Sequence, residues 1–161
     1  MNLGLIPAKT AALDPSREAL IDIPNNRRMS FGDLEDRVQR LANGLRGTLE
    51  LAKGDRVAIL SKNCIQYMEI FYACARCGLI AQPINWRLSE LEMARILRDG
   101  EPSLLVGSEE HATLVDSLVR ETNIPHSLVF TSDANSDYEQ LINRAAAGAV
   151  IGEDEVIGSD P

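Results

Sequence analysis

The sequence predicts an α/β fold, a doubly wound and mostly parallel sheet of repeated βα units with an N-terminal β-hairpin. Short apolar runs of strand length alternate with amphipathic segments of about 10 to 20 residues, as in right-handed βαβ units. The stretch Val57–Leu60 is uninterrupted by polar residues, which is typical of a strand buried on both faces of a parallel sheet. A chain of 161 residues buries roughly 70% of its surface, enough for one core.

The N-terminal residues predict a short helix and then the hairpin. Residues 3–13 suit a helix that ends at Asp14-Pro15, because a proline disfavours helix in the residue before it. An apolar run at 19–23, a turn rich in Pro and Asn, and a return leg at Arg28-Met29 predict two antiparallel strands.

Ser30 begins the clearest helix. Its hydroxyl suits an N-cap, and Asp33 three residues later completes a variant of the capping box. An apolar stripe with helical spacing predicts the buried face, and the opposite face is polar. The stripe is Leu34, Val38, Leu41 and Leu45, and the polar face carries Asp36, Arg37, Gln39 and Arg40.

The remaining elements continue the alternation of helices and strands. Gly78 is expected to end the helix that follows Val57–Leu60, and Pro83 to stop the next strand. Helices are predicted at 65–77, from Ser89 to about 98, at 109–121 and around 138–145, and strands at 79–81, 103–106 and 127–130. We assign residues 1–150 to one α/β subdomain and 151–161, with the acidic run Glu153-Asp154-Glu155, to a solvated connector.

Composition excludes several classes of protein. The 16 Lys and Arg against 24 Asp and Glu give a net charge of −8, so nucleic acid is not an expected partner. No apolar run approaches the roughly 20 residues of a membrane-spanning helix, and the N-terminus does not resemble a signal peptide. Three cysteines, an odd number, indicate reduced thiols and a cytoplasmic protein.

No self-contained active site is apparent. The glycine-rich phosphate-binding patterns are missing, and no metal site is predicted because His111 and His126 lack partners with ligand spacing. Cys74 and Cys77 match the C-x-x-C pattern of thiol redox proteins. Their position near a helix C-terminus opposes a thiolate and favours packing cysteines, with a redox protein as the competing hypothesis.

Several segments together resemble the adenylate-forming, AMP-binding enzymes, and most closely the bacterial fatty-acyl-CoA synthetases. The segments are Ser30–Leu34, Leu41–Leu45, Lys53–Leu60, Phe71–Gly78, Pro83–Leu88 and Glu90-Leu91. The resemblance covers roughly residues 5–130 and implies the N-terminal part of the acyl-CoA synthetase fold. Each motif also has a structural explanation, since Lys53-Gly54-Asp55 turns a helix into a strand and Gly78 allows close packing.

The resemblance implies a ligase that activates a fatty acid or other carboxylic acid with ATP and Mg²⁺ to an acyl-adenylate and passes the acyl group to coenzyme A. The family's phosphate loop, which ends in lysine, and its catalytic lysine lie downstream of the matched region. Ser159-Asp160-Pro161 stands where that loop is expected to begin. We therefore expect an N-terminal fragment that is inactive alone and binds no cofactor itself. The alternative is a free-standing interaction or regulatory module derived from the same fold.

Trp86 and Arg87 are the candidate substrate-contacting residues. They follow a strand at its carboxyl end, where ligands usually bind in α/β folds. The competing interpretation is that they pack in an interface. No catalytic residue is assigned. Uncovered apolar surface around Leu79–Arg87 is expected in a fragment, and it favours self-association into a homo-oligomer.

Overall fold

The computed structural model describes residues 2–156, in which helices and strands alternate along the chain. The elements are α1 (Ile6–Leu13), β1 (Glu18–Asp22), β2 (Arg27–Ser30), α2 (Phe31–Asn43), β3 (Arg56–Leu60), α3 (Ile65–Cys77), β4 (Ile80–Ile84), α4 (Glu90–Gly100), β5 (Leu104–Ser108), α5 (Ala112–Thr122), β6 (His126–Phe130) and α6 (Asp137–Arg144). A π-helical turn at Gly44–Thr48 extends α2, and a 3₁₀ turn at Glu109–His111 precedes α5.

The strands form the predicted doubly wound sheet. Strands β4, β3, β5 and β6 lie side by side in that order, all parallel, while β1 and β2 form the separate antiparallel hairpin. Helices α2, α3 and α6 pack on one face of the sheet, and α4 and α5 pack on the other. The chain moves outward from β3 to β4 and then returns to β5 on the other side of β3. The winding direction therefore reverses between β3 and β5.

Local signals in the sequence place the helix ends. Ser30 caps α2 and forms the capping box with Asp33, and Ser89 does the same for α4 with Glu92. Gly78 ends α3 in the left-handed conformation, with φ of 75°, which glycine adopts without the steric cost that a side chain adds. These predicted caps are confirmed.

Pro83 does not stop its strand, contrary to the prediction. It lies inside β4, paired with Ile59 of β3, and β4 is an edge strand of the sheet. The N–H of Ile80 donates toward β3, to the carbonyl of Asp55 at 2.9 Å. Backbone groups alternate in direction along a strand, so Pro83 faces away from β3, where its missing N–H costs no hydrogen bond.

A buried ionic cluster joins three helices on one side of the sheet. The guanidinium of Arg37 donates to both carboxylate oxygens of Glu69, at 2.6 and 3.1 Å, and to Glu139 at 2.7 and 2.9 Å. Tyr138 donates its hydroxyl to Glu69 at 2.8 Å, and the Glu69 residue is 0% exposed. Arg37 therefore links α2 to α3 and α6, although the sequence placed it on the polar face of its helix.

The segment after α6 packs on the domain. Val150 is buried, and the Glu153 carboxylate accepts a 2.6 Å hydrogen bond from Nε of the buried Arg76. Glu155 pairs with Arg46 at 3.2 Å. The acidic run stays largely solvated, with Asp154 and Glu155 exposed, while the Glu153 side chain is 31% exposed and paired with Arg76. The boundary between 150 and 151 stays a prediction, and Ser159-Asp160-Pro161 lies outside the described residues.

Candidate functional site

A polar crevice opens at the carboxyl edge of the sheet, where the winding direction reverses. Parallel α/β sheets usually bind ligands at such a switch point. The crevice has a volume of about 750 Å³. Its walls come from the residues that follow β3, β5 and β6 and from the hairpin turn, and they include Ser61, Lys62, Gln66, Glu110 and Thr131. Loops reach this edge because each strand passes into its helix there.

An ion pair and an indole ring connect the ends of three strands. Lys62 after β3 donates to Glu110 after β5 at 2.7 Å, and the Lys62 ammonium lies 5.0 Å from the centre of the Trp86 ring. The Arg87 guanidinium stacks on the same ring at 4.1 Å. The bond from Lys62 lowers the pKa of the Glu110 carboxyl, so this carboxyl stays ionised at neutral pH. Trp86 therefore has two cations close to its ring.

The two predicted site residues lie together beside the crevice. Trp86 is half-buried and packs against the cluster under α4 and α5, and Arg87 is exposed. Neither residue lines the crevice itself, although Lys62 belongs both to the crevice wall and to the Trp86 contact. The arrangement offers an exposed cation and an aromatic surface, which suit an anionic or planar group.

The sequence did not single out the crevice residues, because it does not reveal that β3 and β5 are neighbours. Polar residues stand at the ends of both strands, at Ser61-Lys62-Asn63 after β3 and at Ser108-Glu109-Glu110, which begins with the last residue of β5. That pattern becomes a signal once the strand order is known. Ser108 is buried, and its hydroxyl lies 2.8 Å from Nδ1 of His111.

The environments of the three cysteines do not favour redox chemistry. Cys74 and Cys77 are both 0% exposed, and burial raises the pKa of the Cys77 thiol to about 12 and that of Cys74 well above its usual value. Reactive cysteines need a depressed pKa and access to solvent. Cys64 is half-buried at the crevice, and burial raises its pKa as well. The packing interpretation of the C-x-x-C pattern is therefore favoured.

Between residues 2 and 156, no three His, Cys, Asp or Glu side chains are grouped so that they could hold a metal ion. In the same range no helix is long and apolar enough to cross a membrane.

A family model and two curated relatives each match most of the chain. The model for "AMP-binding enzyme" matches residues 8–157. Long-chain-fatty-acid–CoA ligase FadD13 of Mycobacterium tuberculosis is 30% identical over 145 residues, 90% of this chain and 29% of the relative. Feruloyl-CoA synthase of an Amycolatopsis species is 36% identical over 116 residues, 72% of this chain and 23% of the relative. The chain thus spans less than a third of these relatives.

Solved structures share the fold. The N-terminal domain of FACL13 from Mycobacterium tuberculosis superposes with a TM-score of 0.84 at 26% identity, covering 99% of this chain and 40% of that one. A second solved structure is that of a putative long-chain-fatty-acid CoA ligase from Rhodopseudomonas palustris. It superposes with a TM-score of 0.81 at 30% identity, covering 92% of this chain and 38% of that one.

Proposed function

The chain belongs to the AMP-binding enzyme family, and on that premise we propose that it is the N-terminal part of an acyl-CoA ligase. The proposed reaction joins a fatty acid to coenzyme A with ATP, through an acyl-adenylate, and releases AMP and pyrophosphate. The observation that carries the proposal is the family match over residues 8–157, together with the fatty-acid ligase FadD13 among the relatives. The alternative of a free-standing interaction module is not favoured by these matches.

The residues of this chain support a scaffold role in that reaction. The sequence has no glycine-rich loop ending in lysine to hold phosphates, and within residues 2–156 no three His, Cys, Asp or Glu side chains group as a metal site. The described residues therefore supply neither a phosphate loop nor a metal cluster of three ligands, and we derive no catalytic step through ATP or Mg²⁺. The proposal places the ligase in the cytoplasm, where the three unpaired cysteines stay reduced.

The inactivity of the isolated chain is directly testable. The 161-residue chain is incubated with ATP, Mg²⁺, labelled pyrophosphate and decanoate, and exchange of label into ATP is measured. We expect no exchange that depends on decanoate. Exchange above the no-acid background, from protein free of other ligases, would contradict the assignment of the chemistry to residues outside this chain.

Trp86 and Arg87 are proposed to contact the anionic part of a substrate, either a carboxylate or the phosphates of a nucleotide-bearing cosubstrate. The support is their placement at the carboxyl end of β4, with the guanidinium of Arg87 exposed beside the indole. A hydrogen-bonded pair between a guanidinium and an oxyanion is stronger than a neutral hydrogen bond and is often bidentate.

Trp86 reports on this contact, because it is the one tryptophan in the sequence. Its fluorescence is followed during titration with decanoate, ATP and coenzyme A in turn. At least one ligand should give a saturable change, weakened about tenfold in Arg87→Gln because a charge-assisted bond is lost. Arg95→Gln removes the same charge from an exposed site on α4 and should bind like the unaltered chain. Equal binding by both variants would assign Trp86 and Arg87 to packing.

A further inference from the structure

We infer that Ser108 and His111 form a catalytic dyad that hydrolyses small carboxylic esters, with Ser108 as the nucleophile and His111 as its general base. Ser108 is the last residue of β5 and lines the crevice at the carboxyl edge of the sheet. The activity is separate from the proposed ligase reaction, because it needs neither ATP nor coenzyme A.

Ser108 differs from the serines that cap the longer helices. The hydroxyl of the serine before each of α2, α4 and α6 accepts the backbone N–H three residues later, which is the ordinary N-cap hydrogen bond. Ser108 stands in the same position before the 3₁₀ turn Glu109–His111, yet its hydroxyl makes no capping bond to the described part of the chain. Its Oγ lies 2.8 Å from Nδ1 of His111 instead. The hydroxyl is thus paired with a base, which is the arrangement that activates a serine nucleophile.

The surroundings of the pair suit transfer of a proton from Ser108 to His111. Ser108 is 8% exposed and the His111 side chain is 12% exposed, so little water competes for the bond between them. One carboxylate oxygen of Glu110 lies 3.9 Å from the same imidazole nitrogen, and the other accepts a 2.7 Å hydrogen bond from Lys62. A carboxylate held at this distance stabilises the imidazolium that forms when His111 takes up the proton.

Gln66 supplies a hydrogen-bond donor for the oxyanion of the reaction. It is 6% exposed and lines the same crevice as Ser108. Its carboxamide makes no hydrogen bond to any of residues 2–156. A nearly buried amide normally has a partner, because leaving it unpaired costs free energy. An amide N–H that is fixed in the wall and has no partner can stabilise the negative oxygen of a tetrahedral intermediate.

The reaction proceeds in two balanced steps. With the ring proton of His111 on Nε2, Nδ1 accepts the proton of the Ser108 hydroxyl while Oγ bonds to the carbonyl carbon of the ester. The tetrahedral intermediate collapses, the bond from carbon to the alcohol oxygen breaks, and the imidazolium returns its proton to the departing alcohol. A water molecule then attacks the acyl-serine, with its proton passing to His111, and the free acid leaves as the serine hydroxyl is restored.

The 161-residue chain is tested with p-nitrophenyl acetate, and release of nitrophenolate is followed by absorbance above spontaneous hydrolysis. We expect a burst of about one nitrophenolate per chain and then slower turnover, because the acyl-serine accumulates. Ser108→Ala and His111→Gln should each lower the catalysed rate at least about 100-fold. Ser127→Ala and His126→Gln remove the same groups from β6 outside the crevice, and both should behave like the parent.

Mass spectrometry of the acid-quenched chain locates the acyl group. We expect the acetyl group on Ser108, and we expect the same residue to react with diisopropyl fluorophosphate, a reagent selective for activated serine hydroxyls. Gln66→Met keeps a similar size and removes the amide. It should leave the labelling site unchanged and slow acylation at least about tenfold, because the oxyanion loses a donor.

Three results would overturn the inference. They are acetylation of Cys64 or of lysine side chains in place of Ser108, unaltered hydrolysis by Ser108→Ala, and unaltered hydrolysis by a His111→Gln variant whose circular dichroism matches that of the parent. The labelling experiment uses the parent chain, so it decides the matter even where a variant fails to fold. None of these results depends on acyl-adenylate formation, and failure of the ligase proposal would be seen separately.

Discussion

Replacing Arg37 by methionine leaves the Glu69 carboxylate buried without its guanidinium partner. Glu69 is 0% exposed, and two of the four hydrogen bonds from Arg37 go to it. Removing one member of a buried ion pair costs about 3 to 5 kcal/mol, because the other charge stays in a medium of low polarity. Domains are typically stable by about 5 to 15 kcal/mol, so this variant loses a large fraction of its free energy of unfolding.

Urea unfolding monitored by circular dichroism measures this loss. Arg98→Met is the matched control, since Arg98 pairs with Glu121 at 2.6 Å but both side chains are exposed, at 48% and 38%. An exposed pair contributes about 0 to 1 kcal/mol, so the control should unfold almost as the parent does.

A second substitution distinguishes the cost of the unpaired Glu69 charge from the cost of the packing lost with Arg37. In Arg37→Met with Glu69→Gln the buried group is neutral and still accepts the hydroxyl of Tyr138. We expect the free energy of unfolding of the double variant to exceed that of Arg37→Met alone by at least about 1 kcal/mol. The reasoning would be refuted if Arg37→Met cost no more than Arg98→Met, or if the double variant were less stable than the single one.

Three further predictions concern pH, the segment after α6 and the end of α3. Burial raises the pKa of the Cys77 thiol to about 12, so as pH rises this thiol ionises in the unfolded chain before it does in the folded one. The free energy of unfolding should therefore fall between about pH 9 and 12. Cys77→Ala should reduce this pH dependence by about 1.4 kcal/mol per pH unit. An unchanged slope in alkaline urea melts would contradict this. Glu153→Gln weakens the bond to Arg76, and hydrogen exchange should accelerate at 150–156, whereas Asp154→Asn should leave it unchanged. Gly78→Ala should cost about 1 to 2 kcal/mol in thermal melts, because φ is 75° there; a cost near zero would argue against the left-handed cap.

The sequence predicted the fold wherever the deciding interactions are local. The Ser30 and Asp33 capping box and the Gly78 cap each depend on residues within a few positions, and both are confirmed. The apolar run Val57–Leu60 predicted a buried central strand, which β3 is. The prediction that Pro83 stops its strand was wrong. A proline stops a central strand, but it is tolerated in an edge strand such as β4 where its nitrogen faces away from the neighbouring strand.

The site was less accessible to sequence reasoning because its parts come together through the strand order. Periodicity placed Arg37 on a polar face, yet its partners Glu69 and Glu139 lie on two other helices. Gln66 is likewise ordinary in a helical sequence. It becomes informative because the structure buries it beside the reversal between β3 and β5 without giving its amide a partner.

The most direct test of the account is pyrophosphate exchange by the native product that carries this sequence, isolated from its own cells with an antibody to residues 2–156. The account predicts pyrophosphate exchange that depends on a fatty acid and on ATP. This activity should be found in the material that the antibody binds and should be lost from the extract after the antibody has removed it. A native product that exchanges no pyrophosphate with any fatty acid tested, while a known ligase isolated in the same way does so, would contradict the assignment to an acyl-CoA ligase.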